Sequence, residues 1–162
     1  MRGRALGVAP EVGMRLSRMS AGVMVALLMA VFAGGAGGQE VSDPGNPWVL
    51  VSLGKVMVQA EAVRTPEQLY LGLSYRSQLP EGRGMLFLMP KKEVQSFCMR
   101  GMRLPLDFIW ISDGRVAGVT RDVPATFPGE LISPAPVEQV LEVPGGFADR
   151  HGIKTGDRVT WQ

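Results

Sequence analysis

Cysteine and histidine are almost missing from this sequence, which contains only Cys98 and His151. A single cysteine cannot form an internal disulfide, so the fold must rely on its apolar core. A serine triad is disfavoured on similar grounds, because no G-x-S-x-G motif and no second histidine are present. A cysteine nucleophile needs a base, and nothing in the sequence pairs Cys98 with His151. Without a complete catalytic constellation, the sequence favours a non-enzyme and implies no cofactor.

Apolar runs long enough to span a bilayer are also missing. The run from Ala21 to Ala33 has 13 residues, whereas a membrane-spanning helix needs about 20. Four arginines precede it and small residues follow it, which is typical of a secretory signal peptide. We therefore predict a signal peptide over residues 1–38 and export to the periplasm or the medium. Contact with the membrane is expected only through this segment, if it stays uncleaved.

The excess of positive charge belongs to the predicted leader. Removing residues 1–38 takes away four arginines and Glu11, which changes the formal net charge from +2 to −1. Domains that bind nucleic acid usually have a basic face and a basic isoelectric point. Nucleic acid is therefore not an expected partner.

The remaining residues have the length of one ordinary domain. We predict a flexible lead-in over 39–47 and a single domain over 48–162. Strand-like runs recur throughout this domain, and only two short stretches favour helix. The predicted strands are WVLVSL, KVMVQAEAV, GMLFLM, VQSFCM, LDFIWI, RVAGVT, EQVLEV and RVTW. This pattern predicts an α+β, β-rich fold, a compact small barrel-like sheet with one or two short helices.

Local patterns give more detail in four places. Thr65 and Gln68 form a capping box at the start of a helix whose Leu69, Leu73 and Arg76 would share one face. Ser112-Asp113-Gly114 joins two strand-like runs and predicts a hairpin. Residues 124–136 are rich in proline and predict a long loop. In GGFADRHG, Gly152 is the expected end of a second short helix.

Five short segments, in order, resemble a known family. They are GLSYRSQLP, GMLF, SFCMRGMRLPLDFIWI, VLEVPGG and HGIKTGDRV. The chain resembles domain-of-unknown-function family 192 from about Val56 to Val159. The resemblance implies a small α+β or barrel-like domain and no established activity.

The sequence departs from this family in one segment. Relatives typically have tryptophan where this chain has Cys98, and an amide and a hydroxyl residue where it has Gly101 and Met102. A family role that depends on that polar pair is not expected here. Cysteine in a tryptophan position favours packing over thiol chemistry.

The sulfur-containing residues raise the possibility of a copper(I) site. Met85, Met89, Cys98, Met99 and Met102 are soft ligands of the kind that copper(I) accepts. On strands, Met85 and Met89 would lie about 13 Å apart and Cys98 and Met99 would point to opposite faces. Met99 with Met102, assisted by Cys98, is the remaining combination. Methionine packed in a core is the more ordinary alternative.

Asp107 and Arg76 are the polar residues that most need an explanation. On its predicted strand, Asp107 shares a face with Ile109 and Ile111. Burial of an unpaired charge is costly, so each residue is expected to have a partner. We predict that the two pair with each other or that both reach a polar pocket. A structural ion pair is the simpler alternative, and a general acid or base at Asp107 is the catalytic one.

Glu142 is the remaining candidate. It is expected on a solvated face with Glu138, opposite Leu141 and Val143, unless Asp107 lies nearby. The candidate pocket residues are therefore Arg76, Met99, Asp107 and Glu142. We expect an exported ligand-binding or accessory protein of the cell envelope, whose partner is a small ligand or an envelope protein. The alternatives are an envelope hydrolase that uses Asp107 and a copper(I)-binding protein that uses Cys98, Met99 and Met102.

Overall fold

The computed structural model describes residues 45–162, so the predicted signal peptide and most of the predicted lead-in lie outside the described residues. Its strands, numbered in chain order, are Trp48–Leu53 (β1), Val56–Val63 (β2), Arg83–Glu93 (β3), Ser96–Cys98 (β4), Leu106–Ser112 (β5), Arg115–Val123 (β6), Glu130–Ile132 (β7), Val137–Pro144 (β8) and Val159–Trp161 (β9). Its helices are Pro66–Leu71 (α1) and Phe147–Arg150 (α2). Neither helix has the length and apolar character that crossing a bilayer requires.

Seven of these strands form one curled half-barrel sheet in the order β6-β5-β8-β3-β2-β1-β9. β2 and β3 are parallel and are connected through α1, and every other neighbouring pair is antiparallel. β4 and β7 pair only with each other in a two-stranded sheet. The predicted α+β, β-rich, barrel-like fold is therefore confirmed.

Both faces of the large sheet are covered. On one face, which we call the α2 face, Leu86, Ile109 and Leu141 pack with Phe147 and Ala148 of α2. On the other, the α1 face, apolar residues pack beneath α1, β4 and β7. Its buried members include Val63, Leu73, Met85, Phe87, Phe108, Trp110, Leu131 and Val140. Central strands covered on both sides have little room for an unpartnered polar side chain.

The predicted hairpin is present. β5 and β6 pair in antiparallel register through Ser112 and Arg115. Asp113 and Gly114 connect them, with φ of 51° and 67°. Positive φ at both central residues is the requirement of a type I′ turn, the tight turn whose twist suits a hairpin.

Three local predictions are corrected. Helix α1 has the predicted Thr65 and Gln68 capping box but ends at Leu71, so Arg76 does not lie on it. β4 pairs with β7, which lies inside the predicted long loop over 124–136. The last helix ends with His151 at its C-cap, and Gly152 follows with φ of 64°. Gly72, with φ of 51°, is the C-cap that ends α1, whereas the pairing of β4 with β7 is a tertiary contact that a local pattern does not contain.

Gly84 marks the closest approach of chain segments within the sheet. A Cβ atom at this position would lie 2.5 Å from the carbonyl oxygen of Glu142 and 3.2 Å from side-chain carbons of Val58 and Val143. Contacts this short require backbone movement, because the obstructing atom at 2.5 Å belongs to the backbone of β8.

We therefore expect Gly84→Ala to lower the free energy of unfolding by about 2 kcal/mol or more, as measured by urea denaturation. Gly152→Ala is the control, since Gly152 has open space around it and only a left-handed backbone, whose cost is about 1 kcal/mol. An equal or smaller loss for Gly84→Ala would contradict the close approach.

Candidate functional site

A pocket opens on the α1 face of the sheet, with a volume of about 210 Å³. The chain from α1 to Ser74 forms one side, β3 forms the floor, and β4 with the following turn forms the other side. Its lining residues are Leu69, Tyr70, Leu71, Gly72, Leu73, Ser74, Phe87, Met89, Ser96, Phe97, Cys98, Arg100, Met102 and Glu142. We call this cavity the Glu142 pocket, because Glu142 is its one acidic lining residue.

Glu142 is buried in the wall of this pocket. On β8 it pairs with Met85 of β3 and with Phe108 of β5, so hydrophobic neighbours flank it on both sides. Its residue exposure is 5%, and no hydrogen-bond donor or cation among residues 45–162 contacts its carboxyl group. Burial raises the pKa of Glu142 from 4.5 to about 8. The carboxyl group is thus mostly protonated at neutral pH and can both donate and accept a hydrogen bond.

The predicted solvated face for Glu142 is therefore wrong. The prediction relied on alternation along β8, which correctly separated Glu142 from Leu141 and Val143. It did not anticipate that α1, β4 and β7 cover this second face. Asp107 lies on the opposite face with Ile109, so the two carboxyl groups do not share a cleft.

Aromatic rings build the apolar part of the pocket. The Phe97 ring of β4 lies edge-on to Phe87, Phe108 and Trp110, with centroid distances of 5.1, 5.8 and 5.7 Å. Such edge-to-face contacts fix ring orientation in addition to burying area. Phe97 therefore anchors the small β4–β7 sheet to the large one and holds one side of the pocket in place.

The mouth of the pocket is polar. Arg100 donates a hydrogen bond to the Tyr70 hydroxyl at 2.9 Å, and its guanidinium lies 5.3 Å from the Tyr70 ring centroid. The Ser74 hydroxyl donates to the backbone carbonyl of Arg100. Tyr75, whose backbone N–H donates to the carbonyl of Gly101, has φ of 67°. A bulky residue with positive φ is strained, and such strain persists where surrounding contacts hold it.

Gly101 is required by this arrangement. Its φ is 77°, and a Cβ atom there would lie 3.2 Å from the Tyr75 ring. The Gly101 position therefore lets Tyr75 lie against the turn that carries Arg100 and Met102. The sequence departure at Gly101 and Met102 falls at the edge of the pocket.

The structure distributes the candidate soft ligands differently from the prediction. Met99 is 2% exposed and packs in the core of the α1 face, as does Met85. Cys98, Met102 and Met89 line the pocket. Cys98 is exposed, so its expected role in packing is wrong. Within residues 45–162, no three histidine, cysteine, aspartate or glutamate side chains are placed to hold a metal ion.

Arg76 and Asp107 do not pair. Arg76 forms a two-pronged ion pair with the carboxylate of Glu61, whose side chain is 2% exposed. Asn46 donates to the same carboxylate at 2.9 Å and accepts a hydrogen bond from Gln68 of α1. These contacts join the segment before β1, strand β2 and helix α1. Asn46, at the end of the predicted lead-in, is buried within this network.

Asp107 is fully buried, and its partners are backbone amides. Its Oδ1 accepts hydrogen bonds from the N–H groups of Asp122 and Gly146 at 2.6 and 2.9 Å, and its Oδ2 accepts one from Ala148 at 2.7 Å. The register of β5 and β6 shifts beside Asp107, which turns Asp122 toward it. The carboxylate thereby holds the turn before α2 against the hairpin. A substrate could not reach Asp107 without opening the fold, so the geometry does not support a general acid or base there.

His151 is also accounted for. Its Nε2 lies 2.9 Å from Oε1 of Glu81, and its ring lies 4.2 Å from that of Phe147. Arg150 and His151 together lower the pKa of Glu81 through hydrogen bonds. Cys98 lies on β4, among pocket residues that do not include His151. A thiol–imidazole pair is therefore not formed.

Sequence reasoning missed Glu61 and the aromatic side of the pocket. Glu61 stands between Ala60 and Ala62 in an apolar strand, and a charge flanked by such residues could have indicated burial. Phe87 and Phe97 belong to strands that were predicted, but their convergence depends on strand pairing. No local pattern shows that pairing.

The comparisons with known proteins agree with this fold. The sequence profile of DUF192, described as "Uncharacterized ACR", matches residues 49–161. The chain belongs to domain-of-unknown-function family 192. The family membership predicted from the five segments is thereby confirmed.

Two solved structures resemble this member of family 192. A protein of unknown function from Novosphingobium aromaticivorans is 32% identical, with a TM-score of 0.70, and the match covers 78% of this chain and 94% of that chain. A suggested transcription regulator from Sinorhizobium meliloti is 29% identical, with a TM-score of 0.64, and the match covers 70% and 92%. No curated protein is significantly similar to the chain.

The burial of Glu142 gives a prediction about pH. Because its folded-state pKa of about 8 lies above the unfolded value of 4.5, the folded state binds the proton more tightly. Its contribution to stability is complete below pH 4.5 and is lost as the pH rises toward 8. We expect a loss of about 1.4 kcal/mol per pH unit in this window.

Urea unfolding of the wild type and of Glu142→Gln between pH 5 and pH 8 gives the free energy of unfolding as a function of pH. The difference between the two slopes measures the contribution of Glu142. The exposed Glu93→Gln is the control and should follow the wild type. Parallel pH profiles for the wild type and Glu142→Gln would show that Glu142 does not titrate in this range.

The amide cluster around Asp107 gives a second prediction. Asp107→Asn replaces one accepting oxygen with a donor that faces backbone N–H groups. We expect it to lower the free energy of unfolding by about 2–4 kcal/mol, as measured by urea denaturation. Asp157→Asn, which affects a single hydrogen bond to the Lys154 N–H, should cost less than about 1.5 kcal/mol. Similar losses in both variants would rule out the threefold role of Asp107.

Proposed function

We propose that this member of family 192 is an exported domain of the cell envelope that binds a small organic ligand in the Glu142 pocket. The observation that carries the proposal is a buried carboxyl group, without a partner among residues 45–162, in the wall of an apolar cavity. Binding sites commonly combine apolar walls with a few converging polar groups. Export is proposed from the composition of residues 1–38 alone.

The size of the pocket limits the ligand. A cavity of about 150 Å³ holds benzene, so 210 Å³ fits one ring or a short chain with a polar group. Tyr70, Tyr75 and Leu71 are exposed around the mouth, with relative exposures of 76, 64 and 49%. The exposed rings of the two tyrosines and the Leu71 side chain could contact the outer part of a longer ligand or an envelope protein that delivers it.

A soft-metal ion is the second candidate, because Cys98, Met102 and Met89 line the same pocket. Copper(I) accepts thiolate and thioether ligands. This candidate metal site uses Met89 in place of the predicted ligand Met99, because Met99 is buried in the core. The hydrolase alternative finds no support in the geometry, since Asp107 is sealed. The regulatory role suggested for the Sinorhizobium protein is not adopted, because the predicted mature chain has a net negative charge.

Native mass spectrometry of the full chain, secreted through its own leader and purified without chelators, tests the proposal. We expect a population carrying an extra organic mass. Cys98→Trp is the matched control, because a large side chain at this exposed lining position would fill the pocket and abolish the extra mass. A copper mass that Met102→Leu removes would favour the metal candidate.

The rate of Cys98 alkylation provides an independent measurement, since the chain has no other cysteine. Alkylation should be slow in the protein as purified and faster after mild denaturation and refolding, which release the ligand. A bare mass together with the same fast alkylation rate before and after refolding would contradict the proposed function.

A further inference from the structure

We propose that the Glu142 pocket is built for an apolar organic cation, such as a primary amine that carries one ring or a short hydrocarbon chain. This inference rests on the proposed function and specifies its ligand class. Ser74 and Arg100 bond within the mouth, and the Ser96 hydroxyl donates to Glu130. Glu142 alone among the charged lining residues has no such contact within residues 45–162.

The depth of the groups separates a cation from an anion. Arg100 is exposed and lies against Tyr70 at the mouth, whereas Glu142 is buried in the wall of the pocket. An anionic ligand would place its charge at the mouth with Arg100 and would leave the carboxyl group of Glu142 without a partner. An ammonium group placed at Glu142 supplies donors directly to that carboxyl group. Charge-assisted hydrogen bonds are roughly twice as strong as neutral ones.

The remaining lining suits the same ligand. Phe87 and Phe97 supply aromatic rings, whose negative faces attract organic cations. Met89 and Met102 supply polarisable sulfur, and Leu69 and Leu73 supply aliphatic surface. A hydrocarbon group of about ten heavy atoms or fewer fits the volume. A polyamine is disfavoured, because its second charge would meet Arg100.

The protonation of Glu142 sets a condition on affinity. With a pKa near 8, about one molecule in ten carries the ionised carboxylate at pH 7. A cation that binds this form loses about tenfold in apparent affinity at pH 7 and regains it as the pH rises toward 8. Other titratable groups face the pocket, namely Tyr70, Cys98 and Arg100, and the Glu61–Arg76 pair lies on the same face beyond Met85. The Glu142→Gln variant is therefore needed to show that the pH dependence of binding comes from Glu142 and not from these other groups.

The test uses the full chain and three probes of similar shape, which are benzylammonium, benzyl alcohol and benzoate. Binding is measured by calorimetry and by protection of Cys98 from alkylation. We expect benzylammonium to bind at least tenfold more tightly than benzyl alcohol, and benzoate to bind least. The advantage of the amine should increase between pH 6 and pH 8.

Glu142→Gln should lower the affinity for benzylammonium to that for the alcohol and remove its pH dependence. Glu93→Gln is the control and should behave as the wild type. If the alcohol binds as tightly as the amine, or benzoate binds best, the ligand class is wrong while the binding pocket stands. If no probe binds or protects Cys98, the cation proposal is overturned. The native mass spectrum then decides separately whether the pocket binds another ligand.

Discussion

Burial of both faces of a single curled sheet is the constraint on which the rest of this structure depends. Sheet strands in small domains often face water on one side, where charged residues need no special partner. Here α2 covers one face, and α1 with the β4–β7 sheet covers the other. The carboxyl groups of Glu61, Asp107 and Glu142 on central strands are therefore withdrawn from water and must be neutralised or stabilised by their surroundings.

Three carboxyl groups meet this constraint in three ways. Asp107 accepts hydrogen bonds from three backbone amides, which satisfy both of its buried oxygens. Glu61 pairs with Arg76 and with Asn46. Glu142 has neither backbone donors nor a cation beside it among residues 45–162. Burial raises the pKa of Glu142 to about 8, so its carboxyl group is mostly protonated and uncharged at neutral pH. Glu61, Met85, Glu142 and Phe108 follow one another across β2, β3, β8 and β5. The difference between the two glutamates therefore comes from what packs above each of them and not from their depth in the sheet.

The architecture could be predicted from the sequence, but the hydrogen-bond and ion-pair partners of the buried carboxyl groups could not. Alternation and turn residues located β1, β2 and the β5–β6 hairpin, because those features depend on residues close together in the chain. The same alternation correctly placed Asp107 beside Ile109 and Ile111 and so predicted that it needs a partner. The predicted partner, Arg76, was wrong. The actual partners are backbone N–H groups, which do not depend on residue type and so cannot be recognised in the sequence. Arg76 was assigned to a helix that ends at Leu71, and its real partner, Glu61, lies on another element. The site was harder still, because Glu142, Phe97 and Cys98 converge only through the pairing of β3 with β8 and of β4 with β7.

The separateness of the β4–β7 sheet has a kinetic consequence. Only three residue pairs join these strands, from Ser96–Ile132 to Cys98–Glu130, and neither strand pairs with the seven-stranded sheet. The Phe97 ring is its main attachment to the aromatic core. Local opening of so small a unit disturbs few hydrogen bonds, so its free energy is lower than that of global unfolding. Amide exchange in β4 and β7 should accordingly be faster than in β3 and β8. Movement of this wall would let molecules enter and leave the interior while the large sheet stays folded, so residence times would depend on the opening rate of the wall.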